Sequence, residues 1–532
     1  MRKLFYLILI YLIPFAIFGQ VSKIKDIPLQ NTNGNSGVIE MVTVGNKIYF
    51  AAGDGALWVS DGTTEGTVIV KKFLPFNFSD YDNYTVKRLF NLDGSLIFFL
   101  NNNANEELWR SDGTSSGTYK ITNVSVPHPN PSGAEPIVIS HWLYFVNIDS
   151  INRGQLWKTD GTFSGTYRVK FIYNYKNYVD PPSQFINLKN NLYFWVNDSI
   201  HGMALWKSDG TDAGTQILKV LTPAFVYRNN IQTVSGNYLY FSAYNGTMTG
   251  LWRTDGTDSG TVFVRPFSSM QNLVDLNGTL YFDADTNGLY YIGKSDGTQQ
   301  GTHFLSKSPG SSTFNLVSAK AFGNSLIMAL FDTLQGRELW RLDNNANSPV
   351  LIKDIWNGPS SSLNNLDSFK LANGILYFDA NDGIHGYELW RTDGTAQGTF
   401  MVEDIIPGIR SSSPHYITYM NGDVYFIAFD DTSGVQLWKY GTKSDIKTLK
   451  ENDLIQAFVT GQDLIIKNID IETSIYRIEL YDITGKIVST FIPHSQDQMI
   501  NTQLPELNQG VYVCTINTSQ GIINKKLFIS SY

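Results

Sequence analysis

Sulfur and imidazole are scarce in this chain: 532 residues contain one cysteine, Cys514, and seven histidines. A single thiol excludes an intramolecular disulfide and any cysteine-based metal cluster. The histidines show no metal-ligand spacing, although His201 and His385 each stand five residues before a Trp in matching phrases. Equal places in different repeat units lie far apart around a ring, so a His bonding its own hairpin is expected rather than a shared metal. Charge is sparse too, at 17% of residues with a formal net charge of −8 and no long basic run. Phosphate binding needs clustered Lys and Arg, so nucleic acid is not an expected partner. No GxSxG, HExxH, Walker or Rossmann phrase stands in a supporting context, so no catalytic residue is assigned and no cofactor or metal is expected. Long apolar runs are missing except at the start, where Arg2 and Lys3 precede an unbroken run from Leu4 to Phe18. That run is too short and wrongly flanked for a membrane span. It reads as a signal peptide over residues 1–19, cut between Gly19 and Gln20, with no transmembrane span left in the mature protein.

What the chain has in abundance is one phrase. ELWRTDGTAQGTF, Glu388 to Phe400, recurs as LWVSDGTTEGT at Trp58 and in close copies at Trp109, Trp157, Trp206 and Trp252. Three further copies decay: IGKSDGTQQGT puts Gly293 at the Trp place, LWRLDNNANSP follows at Trp340, and LWKYGTKSDIK at Trp438. The spacings are 51, 48, 49, 46, 41, 47, 50 and 48 residues, the period of propellers, solenoids and arrays.

Each repeat carries four strand signals. The clearest is the LYF-type run, such as Leu192 to Phe194 or Leu376 to Phe378, preceded by a pair such as Asp93-Gly94, Asn277-Gly278, Asn373-Gly374 or Asn421-Gly422. Such pairs tolerate the positive φ of a type I′ turn and join two antiparallel strands tightly. The Leu-Trp run is the third strand, the apolar run after the second Gly-Thr is the fourth, and DGT makes the corner between them. Four antiparallel strands per repeat predict an all-β fold: a large β-propeller of about nine blades, or eight if the Gly293 unit is incomplete. A calcium reading of the DGT corner is weaker than the structural one. One carboxylate per turn is few ligands, and the copies at Asn344 and Tyr440 lose the phrase without losing the repeat. Ser22 to Ile27, SKIKDI, resembles the fourth-strand phrase VLIKDI at Val350 to Ile355, which predicts that it completes the last blade beside the Trp438 strand.

By these residues the chain resembles the ELWxxDGT repeat proteins, secreted bacterial proteins named for the motif, over roughly residues 37–448. The resemblance implies a propeller and an address outside the cell more than an activity. After a polar break at Lys450 to Asp453 the pattern changes to short alternating strands, as in YRIELYDITGKIV and GVYVCTI, with Cys514 expected in a buried strand of an Ig-like β-sandwich. This part resembles the C-terminal sorting domain of type IX secretion cargo through Leu480 to Lys486, Gly510-Val511-Tyr512 and Lys525-Lys526. The expected organisation is therefore a signal peptide (1–19), a propeller (20–450) and a sorting sandwich (451–532). The type IX machinery is the implied partner, and the extracellular space or outer-membrane surface the implied location.

For function, a secreted or surface-displayed binding or adhesion propeller is expected, with a glycan or a protein as ligand. The alternatives are a polysaccharide-acting enzyme, whose carboxylate pair nothing in the sequence picks out, and a passive surface scaffold. The two tight connections of every blade share one face, so variation and recognition belong to the other. The candidate ligand-binding residues there are Tyr81 and Tyr84, then Tyr173, Tyr175 and Tyr178, then Tyr227, whose rings can stack on a sugar or a protein.

Overall fold

A computed structural model of the chain describes residues 20–27, 38–73, 85–101, 106–126, 134–148, 154–172, 180–198, 201–222, 231–286, 289–305, 315–363, 369–441, 455–460, 463–468, 475–482, 486–493, 499–505, 507, 510–518 and 521–529. These fall into two units, Met1–Gly441 and Thr442–Tyr532. All regular structure among them is antiparallel strand.

The first unit contains nine four-stranded sheets. Eight are made from consecutive strands and form blade 1 (38–72), blade 2 (85–126), blade 3 (137–171), blade 4 (180–222), blade 5 (232–266), blade 6 (269–304), blade 7 (315–353) and blade 8 (370–403). The ninth takes three strands from 415–441 and its fourth from Gln20–Lys25, which pairs antiparallel with Gly434–Gly441, Lys23 opposite Trp438. The count is nine rather than eight because the Gly293 unit is a complete sheet. A Cβ at Gly293 would run into the Phe282 ring, and in place of a Trp Phe267 packs on that ring, centroids 5.3 Å apart, with Phe304 packed on Phe267 in turn.

Sequence dictates each blade in the same way. The second strand alternates two apolar faces, and its Phe stacks flat on the Trp of the third strand: Phe50 on Trp58 at 5.9 Å, Phe241 on Trp252 at 6.2 Å. The first-to-second turns take the positive-φ pairs expected of them, Asp93 at 48° with Gly94 at 79° and Asn421 at 52° with Gly422 at 95°. The outer edge is blunted. In seven blades the register slips between the Leu and the Trp of the third strand, a bulge that bends the exposed fourth strand away from flat pairing with another chain.

Blades lock to one another through the DGT corner. The corner glycine, at φ between 85° and 97° in seven blades, lies under the second-strand Tyr of the preceding blade in five of them, as with Gly113 against Tyr49, Gly210 against Tyr144, Gly256 against Tyr193 and Gly297 against Tyr240. The basic residue after the Trp reaches the same corner, Arg110 Nη1 donating to Gly161 O at 3.2 Å and Lys207 Nζ to Gly256 O at 3.1 Å. A fourth-strand Lys adds a third tie, Lys71 Nζ to Thr118 O at 2.9 Å and Lys353 Nζ to Thr399 O at 2.7 Å. The seam between blade 9 and blade 1 obeys the same rules. Gly62 packs on Tyr425, and Lys25 Nζ donates to Thr67 O at 2.7 Å. Gln436 grips Ile27 through both backbone groups, at 2.7 and 3.1 Å, and Ile24 and Ile27 are buried in the core shared with Phe50, Trp58 and Ile427. The SKIKDI phrase is thus a fourth strand displaced to the chain's start.

Blades 7 and 8 hold their outgoing connections, 354–362 and 404–412, with a buried carboxylate. Glu338 accepts from Ile355 N (2.8 Å), Ser362 N (3.1 Å) and Ser362 Oγ (2.6 Å), and Glu388 repeats this with Ile405 and Ser412. Burial pushes both carboxyls up to about 7 against these hydrogen bonds, and pushes the fully buried Asp283 up to about 8.

The second unit has a three-stranded sheet, in spatial order Ile455–Thr460, Asp463–Asn468, Met499–Gln503, and a four-stranded one, in order Ile487–Phe491, Ile475–Tyr481, Gly510–Thr518, Gly521–Ile529. Leu464, Ile466, Leu480, Tyr512, Cys514 and Ile516 belong to one core between them. Cys514 is fully buried and its thiol is pushed up to about 12, which makes it an inert apolar filler.

Two outcomes follow from this packing. Gly62→Ala places a methyl in both a left-handed backbone and the Tyr425 ring, so urea unfolding should show a loss on the order of 3 kcal/mol. Gly45→Ala, left-handed but open to solvent, should lose only about 1 kcal/mol. A carboxyl held above its unfolded value binds its proton more tightly when folded, so its contribution to stability is full below about pH 4.5 and is lost as pH rises through 7 for Glu338 and Glu388. Blade 9 already carries an amide, Gln436, at the equivalent place. The double variant Glu338→Gln, Glu388→Gln should therefore fold and show a smaller fall in melting temperature between pH 4.5 and 7.5 than the parent; equal slopes would refute the assignment.

Candidate functional site

A four-stranded meander puts its first-to-second and third-to-fourth connections at one end and the other two connections at the opposite end. The first end is chemically closed. In blade 1, Asp61 Oδ1 accepts from Thr63 N (2.9 Å) and Thr63 Oγ1 (2.8 Å), Thr63 Oγ1 accepts from Gly66 N (2.9 Å), and Ser60 Oγ meets Thr67 Oγ1 at 2.7 Å. The Ser/Thr pair that ties the corner recurs in seven blades. Bonds from the Thr two residues on hold Asp112, Asp209, Asp255 and Asp296 below the usual carboxylate range. One oxygen of each Asp accepts two bonds from its own turn, and the second glycine lies directly over the carboxylate, which makes the corner a fastening. His385 likewise serves its own hairpin, with Nδ1 2.7 Å from Asp382 Oδ2, and that hydrogen bond raises its pKa.

The opposite end carries the variation. Tyr81, Tyr84, Tyr173, Tyr175, Tyr178 and Tyr227, together with Gly19, lie outside the described residues; Gln20 opens the closing strand. The strands bounding the tyrosine segments are fourth strands before and first strands after: Val68–Lys72 and Thr85–Leu92, Tyr167–Phe171 and Asp180–Leu188, Gln216–Thr222 and Gln232–Ser235. All three segments therefore leave from the same end of their blades.

Sequence reasoning overlooked two features at this end. The second-to-third hairpins of blades 7 and 8 and the connection 404–412 held by Glu388 present apolar tips: Leu334 is 62% exposed, Ile384 63% and Ile409 82%. Trp356 lies against Gly383, so one connection covers the next hairpin. The recurring Asp-Ile before these loops, in KDIWNG and EDIIPG, was the available signal. The second feature is on the first strands, which touch one another across successive blades. Arg88, Gln184, Asn272 and Tyr416 adopt positive φ, between 50° and 57°, at irregularities in strand register. At one of them Glu40 of blade 1 accepts from Arg88 N (2.7 Å) and Leu89 N (3.0 Å), and burial raises its carboxyl. No pattern in the sequence marks those four positions.

Comparison with known proteins bears mainly on the second unit. No curated protein matches the chain. Among solved structures, the computationally designed Ika8 protein is similar with a TM-score of 0.41 and 12% identity over 78% of this chain and 99% of that one. A puromycin hydrolase gives 0.37 and 12%, over 64% of this chain and 58% of that one. The extracellular domain of a hybrid two-component system of B. thetaiotaomicron gives 0.32 and 12%, over 95% and 76%. At these scores the likenesses carry no functional argument. Residues 464–530, in contrast, match the secretion system C-terminal sorting domain, so the chain ends in a type IX sorting tail that directs it to the cell surface or the extracellular space.

Proposed function

We propose that the chain is an ELWxxDGT repeat protein, made with a signal peptide cut between Gly19 and Gln20 and passed outward through its C-terminal tail. Outside the cell its propeller, residues 20–450, acts as a binding or adhesion module for a glycan or a protein. The observation that supports this most is the asymmetry of the blades: one end is consumed by nearly identical self-satisfied corners, while the other varies in length and side chain from blade to blade. Recognition surfaces are built on such variable connections held by a rigid scaffold. Tyr81, Tyr173, Tyr175 and Tyr227 supply rings for stacking and hydroxyls for the rim of a contact.

Two measurements test this. A chain ending at Lys450 should fold and accumulate inside the outer membrane, whereas normal export of it would overturn the role of residues 451–532. Purified secreted protein should give discrete hits on a glycan array or with surface proteins and no turnover in a polysaccharide-degradation screen. Replacing Tyr81, Tyr173, Tyr175 and Tyr227 together should abolish binding to the ligand so identified while the melting temperature holds. Unchanged binding would exclude these residues from the contact.

A further inference from the structure

Several interfaces bury a polar side chain, Asn197 and Asp283 among them, but between blades 2 and 3 both facing second strands carry a buried amide. Phe99 of blade 2 meets Phe145 of blade 3 edge to face, ring centroids 5.9 Å apart. Two residues further along each second strand, on the same faces, stand Asn101 and Asn147. Their cross-strand partners are Glu106 and Gln155. All four are buried, at 0%, 7%, 2% and 4% exposure in that order. At the place of Asn147 the other second strands carry alanine, valine or leucine, Ala52 and Leu330 among them. Arg88 closes the inner end, its Nη2 3.4 Å from Glu106 Oε1 and its Nε 3.7 Å from Glu135 Oε2, so it spans from blade 2 to blade 3.

The hydrogen bonding of this cluster is incomplete. Among the described residues, neither Oδ1 nor Nδ2 of Asn101 has a partner, and Asn147 Oδ1 has none. An unmatched buried polar atom costs about 1–3 kcal/mol, and an apolar pair would fit between Phe99 and Phe145 as it does elsewhere in the ring. The unmatched acceptors are amide oxygens, and the neighbouring charge is the Glu106 carboxylate. Gln155 Oε1 accepts from Trp157 Nε1 at 2.8 Å, which sets an indole beside the cluster.

We propose that the blade 2–blade 3 interface binds a hard divalent cation, calcium by its chemistry, through Asn101 Oδ1, Asn147 Oδ1 and the Glu106 carboxylate. The donor set is all oxygen, which disfavours zinc and copper. It is poor in formal charge and rich in amide oxygen, which calcium accepts at irregular geometry and magnesium does not. Arg88 draws Glu106 inward and tempers its charge, which places the affinity in the range of extracellular modules, about 10⁻⁴ to 10⁻³ M. The ion would fasten two blades at the end away from the DGT corners, where they have no Tyr–Gly lock.

Calcium should raise the melting temperature of the full mature chain, and EDTA should reverse the shift. Terbium should bind at the same place and luminesce on excitation of the neighbouring Trp157. Asn101→Leu and Asn147→Leu should each abolish both signals while melting at or above the parent temperature in EDTA, because each removes an unmatched amide. Asp61→Asn, at a DGT corner, should keep both signals. Calcium responses that persist in both leucine variants, the absence of any calcium shift in the parent, or a crystal grown in calcium with only water between Asn101 and Asn147 would overturn the proposal. If one leucine variant fails to fold, the other decides.

Discussion

A four-stranded sheet with two apolar faces cannot stand alone in water, and everything in the first unit depends on how each face finds its neighbour at a fixed angle. In five of the seams the contact that fixes it is small: a corner glycine, left-handed and without a Cβ, under the tyrosine ring of the blade before. Burial supplies the driving force but no register, since one apolar face slides on another at little loss. The glycine supplies the register. With the basic residue after the Trp and the fourth-strand lysine aimed at carbonyls of the same corner, three ties converge on one turn, and the turn itself is held by its own Asp and Thr. Because Gly62 meets Tyr425 as Gly113 meets Tyr49, the ring closes by the rule that builds it.

That economy divides the molecule's two ends. The Ser/Thr hydroxyls and one Asp oxygen of the corner phrase are committed to the turn, so this end repeats and changes little. The other end bears no such constraint in blades 1 to 6, where the connections differ throughout. Blades 7 to 9 solve the same end differently, with Glu338, Glu388 or Gln436 gripping the backbone of an outgoing or incoming Ile. A buried carboxylate doing the work of an amide is under electrostatic load, which is why its proton is held so high.

Deviations from the repeat are also the informative places. Gly293 replaces a Trp, and Phe267 and Phe304 close over the gap. Asn344 replaces a corner, and Tyr281 keeps the inter-blade tie by donating to it at 2.9 Å. Asn147 replaces an apolar residue, and among the described residues neither its Oδ1 nor the amide of Asn101 finds a hydrogen-bond partner. The first two are repairs. The third has the signature of a site.

Much was determined by the sequence alone. A phrase repeated at a near-constant period demands identical supersecondary units, Asn-Gly and Asp-Gly pairs demand type I′ turns, and SKIKDI outside any repeat but matching a fourth strand points to a blade shared by both ends of the propeller. The sorting tail was legible from Leu480 to Lys486 and Gly510 to Tyr512 for the same reason: local pattern carried it. Tertiary structure alone decided what depends on meetings between blades. It showed why the residue after the Trp is basic, since its acceptor is some 50 positions away on the next corner. It showed that Glu338 and Glu388 point inward to loops rather than outward to solvent, and that Asn101 and Asn147, 46 positions apart in a chain full of asparagine, face one another across a single interface. Strand alternation tells which residues share a face; only the ring tells what that face meets.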